Sequence, residues 1–96
     1  MWLTVVGRLG ADPVSILLPS RTSVVHVPLV CKNSKGEEAK LDLNAYGHVA
    51  NHLERQTKKG ALLAVTGYLV RTKSKVWNGG EHVFEHLNVK TFEVLE

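Results

Sequence analysis

Between Glu38 and Tyr46 the chain alternates without a break. Ala39, Leu41, Leu43 and Ala45 fall on one side; Glu38, Lys40, Asp42, Asn44 and Tyr46 fall on the other. A period of two is what a strand with one buried face requires, because successive side chains leave opposite sides of the backbone. At Gly47 the period changes. Val49, Ala50, Leu53 and Thr57 form one narrow stripe at helical spacing. The spacing predicts a single helix over Gly47–Lys59. Lys58 and Lys59 would sit in its last turn, where cations favour the helix dipole, with Gly60 just past its end.

Four more extended segments surround this strand–helix unit. Trp2–Leu9 and Thr22–Lys32 precede it, the latter with Val25, Val27, Leu29 and Cys31 on one face. Ala61 to about Trp77 and Glu81 to about Leu95 follow it. Asn78-Gly79-Gly80 between the last two is a hairpin signal, since these residues tolerate positive φ. The order is three strands, a helix, then two strands. The fold class expected is all-β, a small barrel with one helix. That order is the order of the OB-fold, a five-stranded Greek-key barrel with a helix between its third and fourth strands. At 96 residues the chain suits one domain, 1–96. A barrel this small is marginal alone, so self-association is a reasonable expectation.

Composition removes several classes. Hydrophobic residues at 44% with 22% charged are ordinary for a globular protein and argue against disorder. No apolar run approaches the ~18 residues that span a bilayer. The N-terminal stretch has no basic segment before its apolar residues, so it does not read as a signal peptide. A single cysteine, Cys31, rules out an internal disulfide and fits a reducing cytoplasm.

The net charge of +3 is too small to name a partner, but its distribution is informative. Arg71, Lys73, Lys75 and Trp77 are two residues apart, so they share a face of a strand. With a two-residue turn, either Asn78-Gly79 or Gly79-Gly80, odd positions oppose even ones. His82, Phe84 and His86 then join the basic face. Cations for phosphates beside aromatic rings for unpaired bases suit a single-stranded nucleic acid. A three-residue turn would reverse the register and split the patch. The competing reading is that Trp77 and Phe84 only pack across the hairpin while the lysines keep an edge soluble. Tyr46 shares the polar face of its strand with Lys40, which makes it a second candidate platform. The alternative there is that Tyr46 turns inward as the helix begins. Trp2, Tyr68 and Phe92 read as packing or interface residues.

Signals for chemistry are poor. His48 and His52 stand at i, i+4 on the helix, but the glutamate of an H-E-x-x-H motif is missing and no further ligands accompany them. No metal and no cofactor is expected. No nucleophile elbow, Walker A loop or dinucleotide fingerprint is present. Cys31 suits a small core residue among Val27 and Leu29. An enzyme is not expected.

Several motifs together resemble the bacterial single-stranded DNA-binding proteins. They are Thr4-Val5-Val6-Gly7-Arg8-Leu9-Gly10-Ala11-Asp12-Pro13, Pro19-Ser20, Asn44-Ala45-Tyr46-Gly47 with Val49-Ala50, Lys58-Lys59-Gly60, and Val65-Thr66-Gly67-Tyr68-Leu69. The resemblance covers nearly the whole chain. It implies an OB-fold core that binds single-stranded DNA in replication, repair or recombination, and a homo-oligomer, tetrameric or dimeric. By position Tyr46 matches a stacking aromatic of that family, and Trp77 lies a few residues beyond the family's hairpin tryptophan. Lys40 stands where the family commonly has another stacking tryptophan, and one more is missing around Asn33 and Ser34. Fewer platforms imply weaker binding, because each base–aromatic stack is worth roughly 1–3 kcal/mol. The family's linker and acidic tail do not follow within these residues. The nucleic-acid-binding residues expected are therefore Arg8, Lys40, Tyr46, Lys59, Arg71, Lys73, Lys75, Trp77 and Phe84, in a cytoplasmic protein. A primosome-type or other OB-fold protein–protein adaptor with weak strand binding is the alternative, with replication or primosome proteins as its partners.

Overall fold

The computed structural model describes residues 1–32, 34–75 and 77–96. Its elements are β1 (Trp2–Leu9), β2 (Ile16–Leu17), β3 (Ser23–Lys32), β4 (Glu38–Tyr46), α1 (Gly47–Gln56), β5 (Leu62–Lys75) and β6 (Glu81–Val94). The strands lie in the order β1-β5-β6-β4-β3-β2, and β1 returns to pair with β3 through Arg8↔Val30 and Leu9↔Leu29. That contact closes β1, β5, β6, β4 and β3 into a barrel. The β4–β6 pairing is parallel, through Asp42↔His86, Leu43↔Leu87 and Asn44↔Asn88; the others are antiparallel. This is the OB-fold expected from the element order. The two-residue β2 was not foreseen, since nothing in so short a stretch sets a period.

The barrel interior collects the apolar side of each alternation. Val25, Val27 and Leu29 of β3, Leu43 and Ala45 of β4, Leu63 and Val65 of β5, and Leu87 of β6 are fully or almost fully buried. Ala50 and Leu53 bring the apolar stripe of α1 into the same cluster. Cys31 is half-buried against it, and burial pushes its thiol pKa up. Cys31 thus packs as the sequence predicted.

The helix is shorter than its pattern. It ends at Gln56, and Thr57 is already extended, with φ −134° and ψ 165°. Thr57 closes the last turn twice. Its N–H donates to Leu53 O at 3.1 Å and its hydroxyl to the same oxygen at 2.6 Å. Lys58 and Lys59 therefore lie beyond the helix, and Arg55 is the cation of its last turn. A β-branched hydroxyl that bonds back to the helix competes with its continuation. Gly60 turns the chain into β5 at φ 90°, and its N–H donates to Leu9 O at 2.8 Å.

Two tethers fix the β1–β3 connection against the helix end. Ser15 donates through N–H and Oγ to the Glu54 carboxylate at 2.6 and 2.9 Å, and Lys59 N–H donates to Asp12 Oδ1 at 2.8 Å. The Ser15 N–H, followed by its hydroxyl, holds the Glu54 carboxyl below its usual range. A carboxyl lowered in the folded state supports that state above its ordinary pKa and loses this support as pH falls through the lowered value. We expect a carboxyl NMR titration to show Glu54 titrating below the usual glutamate range. Glu54→Gln should remove the accompanying acid shift of the Ser15 amide.

The β5–β6 ladder carries one irregularity. The register steps from Thr66↔Thr91 to Gly67↔Val89 and passes over Lys90. At the step a Cβ on Gly67 would lie 2.9 Å from the Asn88 carbonyl carbon and 3.1 Å from Leu87 Cγ. Only a residue without a side chain lets the two strands approach there. Gly67→Ala should lower the midpoint of urea unfolding, at a cost on the order of 1–3 kcal/mol.

Candidate nucleic-acid interface

The even-numbered residues of β4 leave the barrel on its outer side, as the alternation requires. Lys40 and Asp42 are exposed, Asn44 is half-buried, and Tyr46 ends the strand at 46% exposure. Tyr46 occupies the N-cap position of α1 with extended φ and ψ, so its ring stays outside the core. The inward alternative for Tyr46 is thereby removed. Its neighbours follow from the ladders. Ile16 pairs with Val24, and Val24 with Tyr46. Ile16, 58% exposed, therefore ends the row that Tyr46 begins. In the next row His26 faces Asn44, with Nδ1 and Oδ1 2.5 Å apart, and Asn44 faces Asn88. The Asn88 Oδ1 is buried without a hydrogen-bond partner among the described residues.

The same face continues onto β6. Asp42↔His86 sets His86 beside Asp42, and Phe84 follows two residues away on the same side. Phe84 is 53% exposed, and its ring meets the His82 ring edge-on at 4.4 Å. Phe84 and His86 border a cavity of about 410 Å³ with His26, Pro28, Asp42 and Asn44. The structure thus joins Phe84 to the polar face of β4, which holds Lys40 and Tyr46.

It does not join Phe84 to the basic stripe. Beyond the step at Gly67 odd residues pair with odd: Arg71↔Glu85, Lys73↔Val83, Lys75↔Glu81. The patch expected from a two-residue turn is corrected here. The connection spans residues 76–80, an odd number, so His82, Phe84 and His86 face Ser74, Thr72 and Val70 instead. Within the turn Asn78 Oδ1 accepts from Gly80 N–H at 3.1 Å, and Gly79 takes φ 83°. Val76 lies outside the described residues, as does Asn33. Trp77 belongs to the turn and not to the strand face, and it is 98% exposed. At that exposure it packs on none of the described residues, so the reading in which Trp77 merely packs across the hairpin fails as well.

The three cations of the stripe therefore share their face with Glu81 and Glu85. Arg71 Nε lies 2.9 Å from Glu85 Oε1. Lys73 and Lys75 are exposed. Arg8 and Lys59 meet elsewhere, at a cavity of about 490 Å³ also bordered by Arg55, Lys58 and Glu96. Arg8 is partly committed there. It donates to Gly60 O at 3.0 Å and pairs with Glu96 at 3.4 Å. The expected residues thus fall into three groups: Lys40, Tyr46 and Phe84 on one face, Arg71, Lys73 and Lys75 on the arm with Trp77 in its turn, and Arg8 with Lys59 at the helix end. His26 and Ile16 were missed. The alternation of β3 around Val25 and Val27 was enough to place His26 outside. The segment before Pro19 carried no comparable pattern.

Among the described residues no three His, Cys, Asp or Glu side chains are grouped to hold a metal ion. His48 and His52 are both exposed on α1.

Residues 2–95 match the model of the Single-strand binding protein family. Over 77 residues the chain is 38% identical to the single-stranded DNA-binding protein of Aquifex aeolicus (strain VF5), which covers 72% of this chain and 52% of that relative. The chain spans about half the length of the curated relative it matches.

Exposed ion pairs add little to stability. Arg71→Ala is expected to change the unfolding free energy by less than about 0.5 kcal/mol in a denaturant titration.

Proposed function

The chain belongs to the single-strand binding protein family, and on that premise we propose that it binds single-stranded DNA without catalysis, largely independently of sequence, in replication, repair or recombination. The observation that carries this reading is the pair of exposed rings, Tyr46 and Phe84, on one face beside Lys40. A ring with a free face stacks on any base, whereas a duplex hides its bases. Trp77 at the arm tip adds a third ring, and Lys73 and Lys75 on the arm attract phosphates. Arg8 and Lys59 extend the cationic surface at the helix end. The family assignment favours this role over that of a protein adaptor. The proposed setting is the cytoplasm; no helix among the described residues is long and apolar enough to cross a membrane.

We further propose that the protein acts as a homo-oligomer, dimeric or tetrameric, through the outer face of β1 and β5. Trp2, Val6 and Tyr68 are 62%, 53% and 45% exposed there, and the Trp2 and Tyr68 rings meet edge-on at 5.6 Å. Beyond Arg8 and Leu9 no described strand pairs with the second edge of β1. Exposed apolar side chains beside an open edge invite a second strand. Sedimentation should give a mass above the 10.6 kDa of one chain, and Val6→Asp should lower it. A monomeric wild type would refute the assembly.

Titration of labelled oligo-dT at several salt concentrations tests the binding itself. Log affinity should fall against log salt with a slope of about −0.7 per phosphate neutralised. Tyr46→Ala and Trp77→Ala should each weaken binding by about 1 kcal/mol or more. Absence of salt-sensitive binding would overturn the proposal.

A further inference from the structure

The binding face contains a feature that phosphate attraction and stacking do not explain. Asp42 stands in its middle, exposed, between Pro28 on β3 and His86 on β6. Among the described residues no hydrogen bond or ion pair engages its carboxylate. A free carboxylate repels phosphates, so on a surface that only tracked a backbone it would weaken binding. It becomes favourable when it meets hydrogen-bond donors, and the donors of an unpaired strand lie on the base edges.

The surroundings of Asp42 suit a base. It borders the cavity of about 410 Å³ shared with Phe84, His86, His26 and Asn44. Phe84 supplies an aromatic wall, and contact with His82 at 4.4 Å supports its ring. The volume admits a purine. Asn44 is already engaged by His26, and Glu85, the other carboxylate that borders the cavity, is paired with Arg71, which leaves Asp42 as the free charged acceptor of the cavity.

The four bases differ at the edge a carboxylate would read. Thymine offers one N–H between two carbonyl oxygens, which a carboxylate avoids. Adenine and cytosine each offer an amino group beside a ring-nitrogen acceptor. Guanine alone offers two adjacent donors, N1–H and the 2-amino group, which match the two oxygens of a carboxylate. The neighbouring O6 accepts a hydrogen bond, and the His86 imidazole, beside Asp42 in the register, carries a ring N–H. We propose that this cavity is a base-reading pocket, in which Asp42 accepts from N1–H and N2–H of one unpaired guanine stacked on Phe84. The inference rests on the strand-binding reading above and adds one guanine-preferring position to an otherwise sequence-tolerant surface.

Fluorescence anisotropy with a labelled oligo-dT dodecamer, and with the same strand carrying one central dG, tests it. A single guanine per strand keeps the probe from folding on itself. The dG strand should bind about fivefold more tightly or better, the lower end of what a bidentate base contact provides. Replacing that guanine by hypoxanthine, which lacks the 2-amino group, should give an intermediate affinity. Asp42→Asn should bring the ratio of dG-strand to dT-strand affinity to about one. Glu93→Gln, exposed on β6 away from the cavity, should preserve the ratio. Equal affinities for the two strands in the wild type would overturn the pocket, as would a preference that survives Asp42→Asn, or a greater gain from dA or dC than from dG. In those outcomes binding to oligo-dT itself leaves the strand-binding reading intact. Failure of both strands to bind at low salt would overturn the two together.

Discussion

Along β5 and β6 the ladder passes over Lys90, and every pairing on the arm inherits that step. Below it, Leu63 to Thr66 pair odd against even; above it, Leu69 to Lys75 pair odd against odd. One extra residue thus decides which side chains meet across some of the most exposed strands of the protein. It sends Phe84 and His86 to the face continuous with β4. It sends Glu81 and Glu85 to the face of Arg71, Lys73 and Lys75. The tolerance for that step comes from Gly67, where a side chain would strike the backbone at Asn88.

This is also where sequence reading reached its limit. The β4 alternation, the switch of period at Gly47 and the core positions of β3 were legible because each depends on one segment alone. Trp2–Leu9 and Glu38–Tyr46 appear with the bounds the pattern suggested. Pairing between strands is different, because it depends on loop length and on bulges that leave no periodic trace. Odd-against-even pairing, expected from a two-residue turn, does hold in the barrel segment from Leu63 to Thr66, and it fails only beyond the step. The helix end was misplaced for a smaller reason of the same kind. Thr57 fits the apolar stripe by spacing, yet its hydroxyl satisfies the Leu53 carbonyl and closes the helix. For the site, Tyr46 and Lys40 were readable as a pair. The company of Phe84 was not, since it requires the parallel β4–β6 contact between residues far apart in sequence.

The charge distribution takes a different form in three dimensions. The run Arg71, Lys73, Lys75 contains no acid in sequence, but the opposing strand returns two carboxylates to the same side. Its field is correspondingly weaker than the sequence implies. The helix end is the denser region, with Arg8, Arg55, Lys58 and Lys59 around one cavity and Glu96 among them. The aromatic face, by contrast, carries Lys40 and Asp42 and so has little net charge of its own. Attraction and discrimination are thereby separated. In the proposed binding mode, cations at the arm and the helix end draw in a polyanion, while the aromatic face meets the bases.

The closure of the barrel bears on how the chain reaches this state. β1 pairs with β5 from Trp2↔Tyr68 to Arg8↔Leu62, and β4 meets β6 only after the arm has been made. β1 must therefore wait for α1 and the start of β5 before its main partner exists. Until then Leu3 and Val5 lack the strand opposite them, and only Arg8 and Leu9 have partners, on β3, which can already assemble with β4 and α1. Pairings over such separations carry a loop-closure cost before they return any stabilisation, which sets the pace of folding in the slower range of small domains. The β5–β6 hairpin, local and largely open to solvent, is free to form early. Its joining to β1 then brings both late strands into the closed barrel.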